Sequence, residues 1–244
     1  MLADKTREIF AAFNRIDQFE RHDEIYGNLL KRVDPVVTAQ PRGQLGDLSR
    51  IRAYSLTYRQ ALLHRSILLY RGALDAASEH NPYSMVLSIR GHFETTAALA
   101  YLHKRLQSLK AKTISPETLD SDLCALMLGS RQKGLNRAPD AKQVLNLIEA
   151  ADRSISRDIL DGPAKQHMIM RESYEFLSEF CHPNLFANSI AFDLDSSASE
   201  FRFRHEMPIR EREFNLVGYL LISASIFIEI FDYVEKLLPA RVKD

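Results

Sequence analysis

The stretch NPYSMVLSIRGHFETTAALAYL, residues Asn81 to Leu102, sets the fold class. It opens on Asn-Pro: asparagine caps a helix well, and proline is favoured at the first helical position, where its missing N–H costs nothing. The residues after this pair are apolar or small almost throughout. The pattern predicts a helix from Tyr83 to about Lys110, buried around most of its circumference as a helix inside a bundle is. Two charges interrupt it. Arg90 and Glu94 are four residues apart, a spacing for an ion pair along one helix face, and such charges are expensive to bury without partners.

Helical periodicity recurs on both sides of this stretch. Upstream, Ile9, Phe13, Ile16 and Phe19 form a stripe that Tyr26, Leu29 and Leu30 continue, so one helix is expected as far as Val33, ending before Pro35. Residues 35–46 read as a linker. A long helix from about Asp47 to His80 comes next, with Ile51, Ser55, Tyr58, Leu62, Leu69 and Ala73 along one side. Downstream, Ser115-Pro116 starts a helix that ends near Gly129, a polar loop covers 130–139, and Asp140 to about Ile155 is helical. Gly162-Pro163 opens a sixth helix, running to Cys181 and stopping before Pro183. The period then shortens to two in SIAFDLDSSASEFRFRHE, residues 189–206. That predicts one small antiparallel β-hairpin near residues 189–205, turning at Ser196–Ser199. Ile190, Phe192, Leu194, Phe201 and Phe203 are expected on its buried face, with Asp193 and Asp195 pairing to Arg202 and Arg204 outside. A central helix over about 209–238 closes the chain. The expectation is therefore a mainly α, multi-helix bundle with one hairpin: a single helical domain over 1–244, a semi-independent N-terminal arm at 1–34, and a bundle core at 47–238.

Of the 244 residues 45% are hydrophobic and 26% charged, a globular balance, and the formal net charge is zero. No global field therefore draws the chain to nucleic acid or anionic membrane. Arginine outnumbers lysine 22 to 10, which suits phosphate contacts but is equally a product of base composition. Two cysteines, Cys124 and Cys181, exclude a disulfide framework and a four-thiolate zinc site, and fit a reducing, cytoplasmic setting. The charged N-terminus does not read as a secretory signal. The uncharged run Phe214–Ile228 is too short to span a bilayer, so no membrane partner is expected.

Chemistry concentrates in RESYEFLSEFCHPN, residues 171–184. On one continuous helix Arg171, Glu175, Ser178 and His182 form a polar line, and Tyr174, Leu177 and Cys181 the line beside it. His182 then falls at a helix C-terminus, where the dipole favours its protonated form and makes it a poor base for a serine nucleophile. If this helix meets the one carrying Arg90 and Glu94, then Arg90, Glu94, Ser178 and His182 form one buried polar cluster, the candidate catalytic or binding site. Glu175, Glu179 and His182 have helical spacing for an ion, but no HExxH pattern supports it, and neither a metal nor a cofactor is expected. His92 and His103 read as hydrogen-bonded packing residues. His22, His64, His80, His167 and His205 have no company that singles them out.

The pair of motifs Arg-x-x-x-Glu, supplied by Arg90 and Glu94, and Tyr-x-x-Leu-Ser-x-x-x-His, supplied by Tyr174, Leu177, Ser178 and His182, resembles a bacterial family of helical proteins of unknown function. The resemblance covers roughly residues 80 to 190 and implies a fold and a site rather than an activity. That family looks akin to the HEPN nucleotide-binding and ribonuclease proteins of toxin–antitoxin and phage-defence systems, in which an Arg-x(4–6)-His motif supports metal-independent RNA cleavage. Arg59 to His64 and Arg15 to His22 have that spacing; His182 has no arginine four to six positions before it. Three functions are expected on these grounds: a stress- or defence-system module with a polar pocket, an endoribonuclease working as a homodimer on RNA or a nucleotide, and a non-catalytic protein-interaction scaffold.

Overall fold

In the computed structural model, which describes residues 2–37, 44–130, 139–158, 168–195, 197, 200–205 and 208–240, both described Pro-based start signals open helices. The Asn81 side chain accepts the Ser84 N–H at 3.0 Å, and Ser115 Oγ accepts that of Thr118 at 3.3 Å. The helices are α1 (Asp4–Ala12), α2 (Ile16–Leu30), α3 (Leu48–Ser78), α4 (Pro82–Lys110), α5 (Pro116–Leu128), α6 (Val144–Asp158), α7 (Ile169–Glu179), α8 (Leu185–Asn188), α9 (Glu211–Phe214) and α10 (Val217–Leu237). Strands β1 (Phe192–Asp195) and β2 (Glu200–Phe203) pair antiparallel, Asp193 opposite Arg202. The chain is mainly α, with one small antiparallel hairpin.

Several boundaries differ from the sequence reading. The expected first helix is two, because Asn14 takes a left-handed φ of 56° that its short polar side chain tolerates. The expected last helix breaks at Asn215–Leu216. The fifth starts later, at Val144, and α7 stops at Glu179, with α8 coming after it behind an Asn184 cap. Part of the linker (38–43), most of the polar loop (131–138), the Gly162-Pro163 start signal and most of the hairpin tip (196, 198 and 199) lie outside the described residues.

Contacts gather the chain into two compact units, one of Met1–Lys31, Ser66–Phe93 and Glu172–Ser225, the other of Arg32–Arg65, Glu94–Arg171 and Ile226–Asp244. In the first, α1 and α2 are packed in: Phe10 is fully buried with its ring 4.9 Å from that of Phe214, and Tyr26 stacks on Tyr70. In the second, Leu63, Leu99, Leu102, Leu106, Leu123, Ile148, Phe227 and Val234 are fully buried. Several of its charges meet opposite ones: Arg50 pairs with Asp120, Arg105 and Lys142 with Asp122, and Arg32 with Asp232.

The hairpin meets expectation only at its base, where Ile190 is buried and Phe192 half-buried, while every residue of β2 is exposed. Leu194, Phe201 and Phe203, placed on the buried face by alternation, are 60%, 60% and 64% exposed. Arg204, expected outside, has a side chain only 8% exposed. Arg204 and Arg210 converge on the buried carboxylate of Glu213 and on Asp193, and Arg210 and Arg212 donate to the Ser189 carbonyl at 2.7 and 2.8 Å. These charge-assisted contacts, with members from 189 to 213, tie the base of the hairpin to α9. The outer ion pairs differ accordingly, Arg204 and Arg210 being the partners of Asp193.

The segment Glu211–Leu237 is, by length and composition alone, long and apolar enough to cross a membrane, with mean hydropathy 1.9 and half of its most apolar window buried inside the fold. This exceeds the span read from sequence, because charged Glu211, Arg212 and Glu213 precede the apolar run within the same near-continuous helix. A core helix has the same properties.

Candidate functional site

Arg90 and the α7 segment meet within the first unit. Arg90 Nε donates to Ser178 Oγ at 3.1 Å, and Nη2 donates to the Tyr174 hydroxyl at 2.5 Å. The guanidinium also lies 4.8 Å from the Tyr174 ring centroid, a cation–π contact. Ser178 is held in turn, its hydroxyl donating to the Tyr174 carbonyl at 2.7 Å. The fork geometry of arginine makes this multiple engagement available where lysine would offer a point charge. Arg90 and Ser178 are half-buried and Tyr174 is buried.

The other site residues lie differently. Glu94 is one turn further along α4, half-buried, in the second unit. His182 has left the helix: α7 ends at Glu179, and His182 occupies an exposed bend before Pro183. A residue preceding proline is steered away from the α region, and here the helix yields three residues ahead of it. The ring of His182 makes no hydrogen bond, ion pair or ring contact among the described residues. The line Arg171–Glu175–Ser178 stands on α7, and His182 alone has left it. Arg171 belongs to the second unit, 3.7 Å from Glu149, with its N–H and that of Met170 capped by buried Asp152 at 3.0 and 2.8 Å. Glu175 and Glu179 remain on the helix without His182 beside them, and no group of three His, Cys, Asp or Glu side chains is placed for a metal ion among the described residues.

Neither Arg-x(4–6)-His pair converges. Arg59 is buried, donating to the Phe231 carbonyl at 3.0 Å, ion-paired with Glu235 and stacked 3.6 Å over the Phe231 ring, while His64 is exposed. Five residues turn a helix by about 500°, which sets the two side chains on different faces. Arg15 pairs with Glu211, while His22 points into the core.

The buried imidazoles are the polar centre of the first unit. His92 is fully buried between Ser66 Oγ, 2.7 Å from Nε2, and Ser223 Oγ, 2.8 Å from Nδ1, so it ties α3, α4 and α10. His22 Nδ1 lies 2.6 Å from the Tyr70 hydroxyl. Burial holds each imidazole neutral, with its pKa pushed down to about 3, and raises that of the Tyr70 phenol well above its usual value. His92 is a hydrogen-bonded packing residue, as its sequence context suggests. His22 joins it, which its polar neighbours in sequence do not reveal.

One grouping has no sequence signal. His80 (left-handed, φ 56°), Tyr83, Arg204 and His205 line one cleft of about 450 Å³ in the first unit. His80 and His205 are exposed, and the Tyr83 hydroxyl donates to the Ala187 carbonyl at 2.7 Å. More than a hundred residues separate the two histidines, so only the fold brings them together. No family model, curated protein or solved structure matches this chain.

Proposed function

We propose that this chain is a non-catalytic helical interaction module that associates with a second copy of itself through strand β2 of its hairpin, the two Phe201 side chains meeting across the new strand pair. The observation that carries the reading is the exposure of Leu194, Phe201 and Phe203 on one side of a two-stranded ribbon. The Phe192 ring packs edge-on against Phe201 and Phe203, 4.9 and 6.2 Å away, so the apolar side chains form one patch. A contiguous exposed apolar patch marks an interaction site, and an isolated two-stranded ribbon is marginal in water. Among the described residues β2 pairs with β1 alone. Two β2 strands paired antiparallel about a twofold axis through Phe201 set Glu200 of each copy opposite Arg202 of the other. The strand is self-complementary in charge and apolar at its centre. The Arg90–Tyr174–Ser178 clasp supports the same reading: those hydrogen bonds fasten α7 to α4 and so hold the segment leading to the hairpin.

The test is sedimentation velocity on the full chain at rising concentration, beside the Phe201→Ser/Phe203→Ser variant. A dimer that the variant reduces to monomer, with unchanged far-ultraviolet circular dichroism, is expected. A monomeric native chain at about 100 μM, or a dimer indifferent to the variant, overturns the reading.

A ribonuclease reading has one observation in its favour: two exposed imidazoles and an arginine share the His80–His205 cleft, and such groups serve proton transfer and phosphate binding. Cleavage of single-stranded RNA in chelator, lost in both His80→Ala and His205→Ala, would establish it. Cleavage lost only in His182→Ala would move the chemistry to the α7–α8 bend. Intact RNA in all cases leaves the interaction module standing.

A further inference from the structure

In the second unit a cleft of about 540 Å³ opens where the last turns of α4 and α10 lie beside the first turns of α3 and α5. Its floor is aliphatic, with Leu106, Leu109, Leu237 and Leu238 among the lining side chains. Lys110, Lys112 and Lys236 line it, and among the described residues no aspartate or glutamate does. Three of the ten lysines of a chain with zero net charge are gathered on this opening. Neither Lys110 nor Lys112 has an ion-pair partner among the described residues, and Lys236 lies 5.0 Å from the Tyr233 ring centroid.

The backbone adds an independent sign. Lys112 has a φ of 58°, the left-handed conformation that ends α4, with its N–H on the Leu109 carbonyl and the Thr113 N–H on that of Ser108, both at 2.9 Å. Glycine is the unstrained residue at such a closing position. A lysine there accepts backbone strain and sets an ammonium at the cleft mouth. Strain of this kind collects where a side chain is needed for binding. The helix dipole accounts for a cation near each helix end, but three around one aliphatic cavity, with no carboxylate among the described residues that line it, exceed that need.

We infer that the cleft binds a single-tailed medium-chain carboxylic acid, the alkyl tail on the leucine floor and the carboxylate among the three lysines. A volume of this size lies within the roughly 300–1,000 Å³ of small-molecule sites. The match is one of chemistry: an apolar body requires the apolar floor, and a lone anionic head requires a cationic rim.

The experiment is isothermal titration calorimetry on the full chain with octanoate, decanoate and dodecanoate below their micelle concentrations, with decanol, and with phosphatidylcholine–phosphatidylglycerol vesicles. Affinity is expected to rise about fourfold per added methylene. Decanoate is expected to bind about tenfold more tightly than decanol, an advantage lost in the Lys110→Ala/Lys112→Gly variant. Glycine at 112 relieves the strained φ, so that variant is expected to fold at least as stably as the native chain, and thermal melting checks it. Equal affinity for decanoate and decanol, decanoate binding untouched by the variant, or no decanoate binding at millimolar concentration overturns the inference. So does binding to the vesicles without binding of the free acid, which would assign the lysines to a membrane surface.

Discussion

His22 and His92 make stability depend on pH. In the unfolded chain each takes up a proton near pH 6.5, whereas in the fold burial delays that to about pH 3. Between those values the unfolded state binds more protons, so the free energy of unfolding rises with pH. The contribution is fully present above about pH 6.5 and is lost as pH falls toward 3. Each histidine contributes a slope of up to about 1.4 kcal/mol per pH unit, and the two together about 2.7. Urea midpoints measured from pH 7 to 4 should fall accordingly, and His92→Leu should halve the slope while lowering stability at pH 7, since it strands the Ser66 and Ser223 hydroxyls. A flat profile would show that neither imidazole is held neutral. At the clasp, Arg90→Met is expected to cost about 1–3 kcal/mol through its charged hydrogen bonds. A double-mutant cycle with Ser178→Ala should return a coupling of about 1 kcal/mol; a coupling near zero would deny that the two side chains act together.

Among the helices and strands, start signals were legible and interruptions were not. Asn81-Pro82 and Ser115-Pro116 announce helices because each is a local device, a cap followed by a residue with no N–H to satisfy. The break at Asn14 was hidden because the apolar stripe runs straight through it; only a left-handed residue turns one helix into two. Asn14→Gly is therefore expected to be neutral or slightly stabilising and Asn14→Val to lower stability by about 1–2 kcal/mol in thermal melts. Equal effects would place Asn14 in ordinary backbone. The meeting of Arg90 with Ser178 could be anticipated from two charges and a serine on apolar helices. The departure of His182 was partly announced by Pro183, but the expected helix, running to Cys181, overran the observed end at Glu179 by two residues. The hairpin register was legible from alternation, since a period of two fixes which residues share a face. That Leu194, Phe201 and Phe203 stay exposed was not, because alternation marks which residues share a face and not whether anything packs on it.

Across the whole molecule, the chain's contacts fall into two compact units, and the features with functional meaning divide between them. The first unit holds the clasp, the neutral imidazoles and the exposed ribbon; the second holds the lysine-rimmed cleft. Neither the ribbon's exposed face nor the cleft could be read from sequence, because an apolar residue in a strand pattern or near a helix end is ordinarily a core residue. If the ribbon is half of an interface, its backbone must become shielded as the two copies meet. Amide hydrogen exchange across Glu200–Phe203, read by mass spectrometry over a range of protein concentration, measures that shielding. These amides are expected to become more protected as concentration rises, in step with dimer formation, while α3 and α4 stay unchanged. Fast exchange of the β2 amides at every concentration would show that the ribbon has no partner copy.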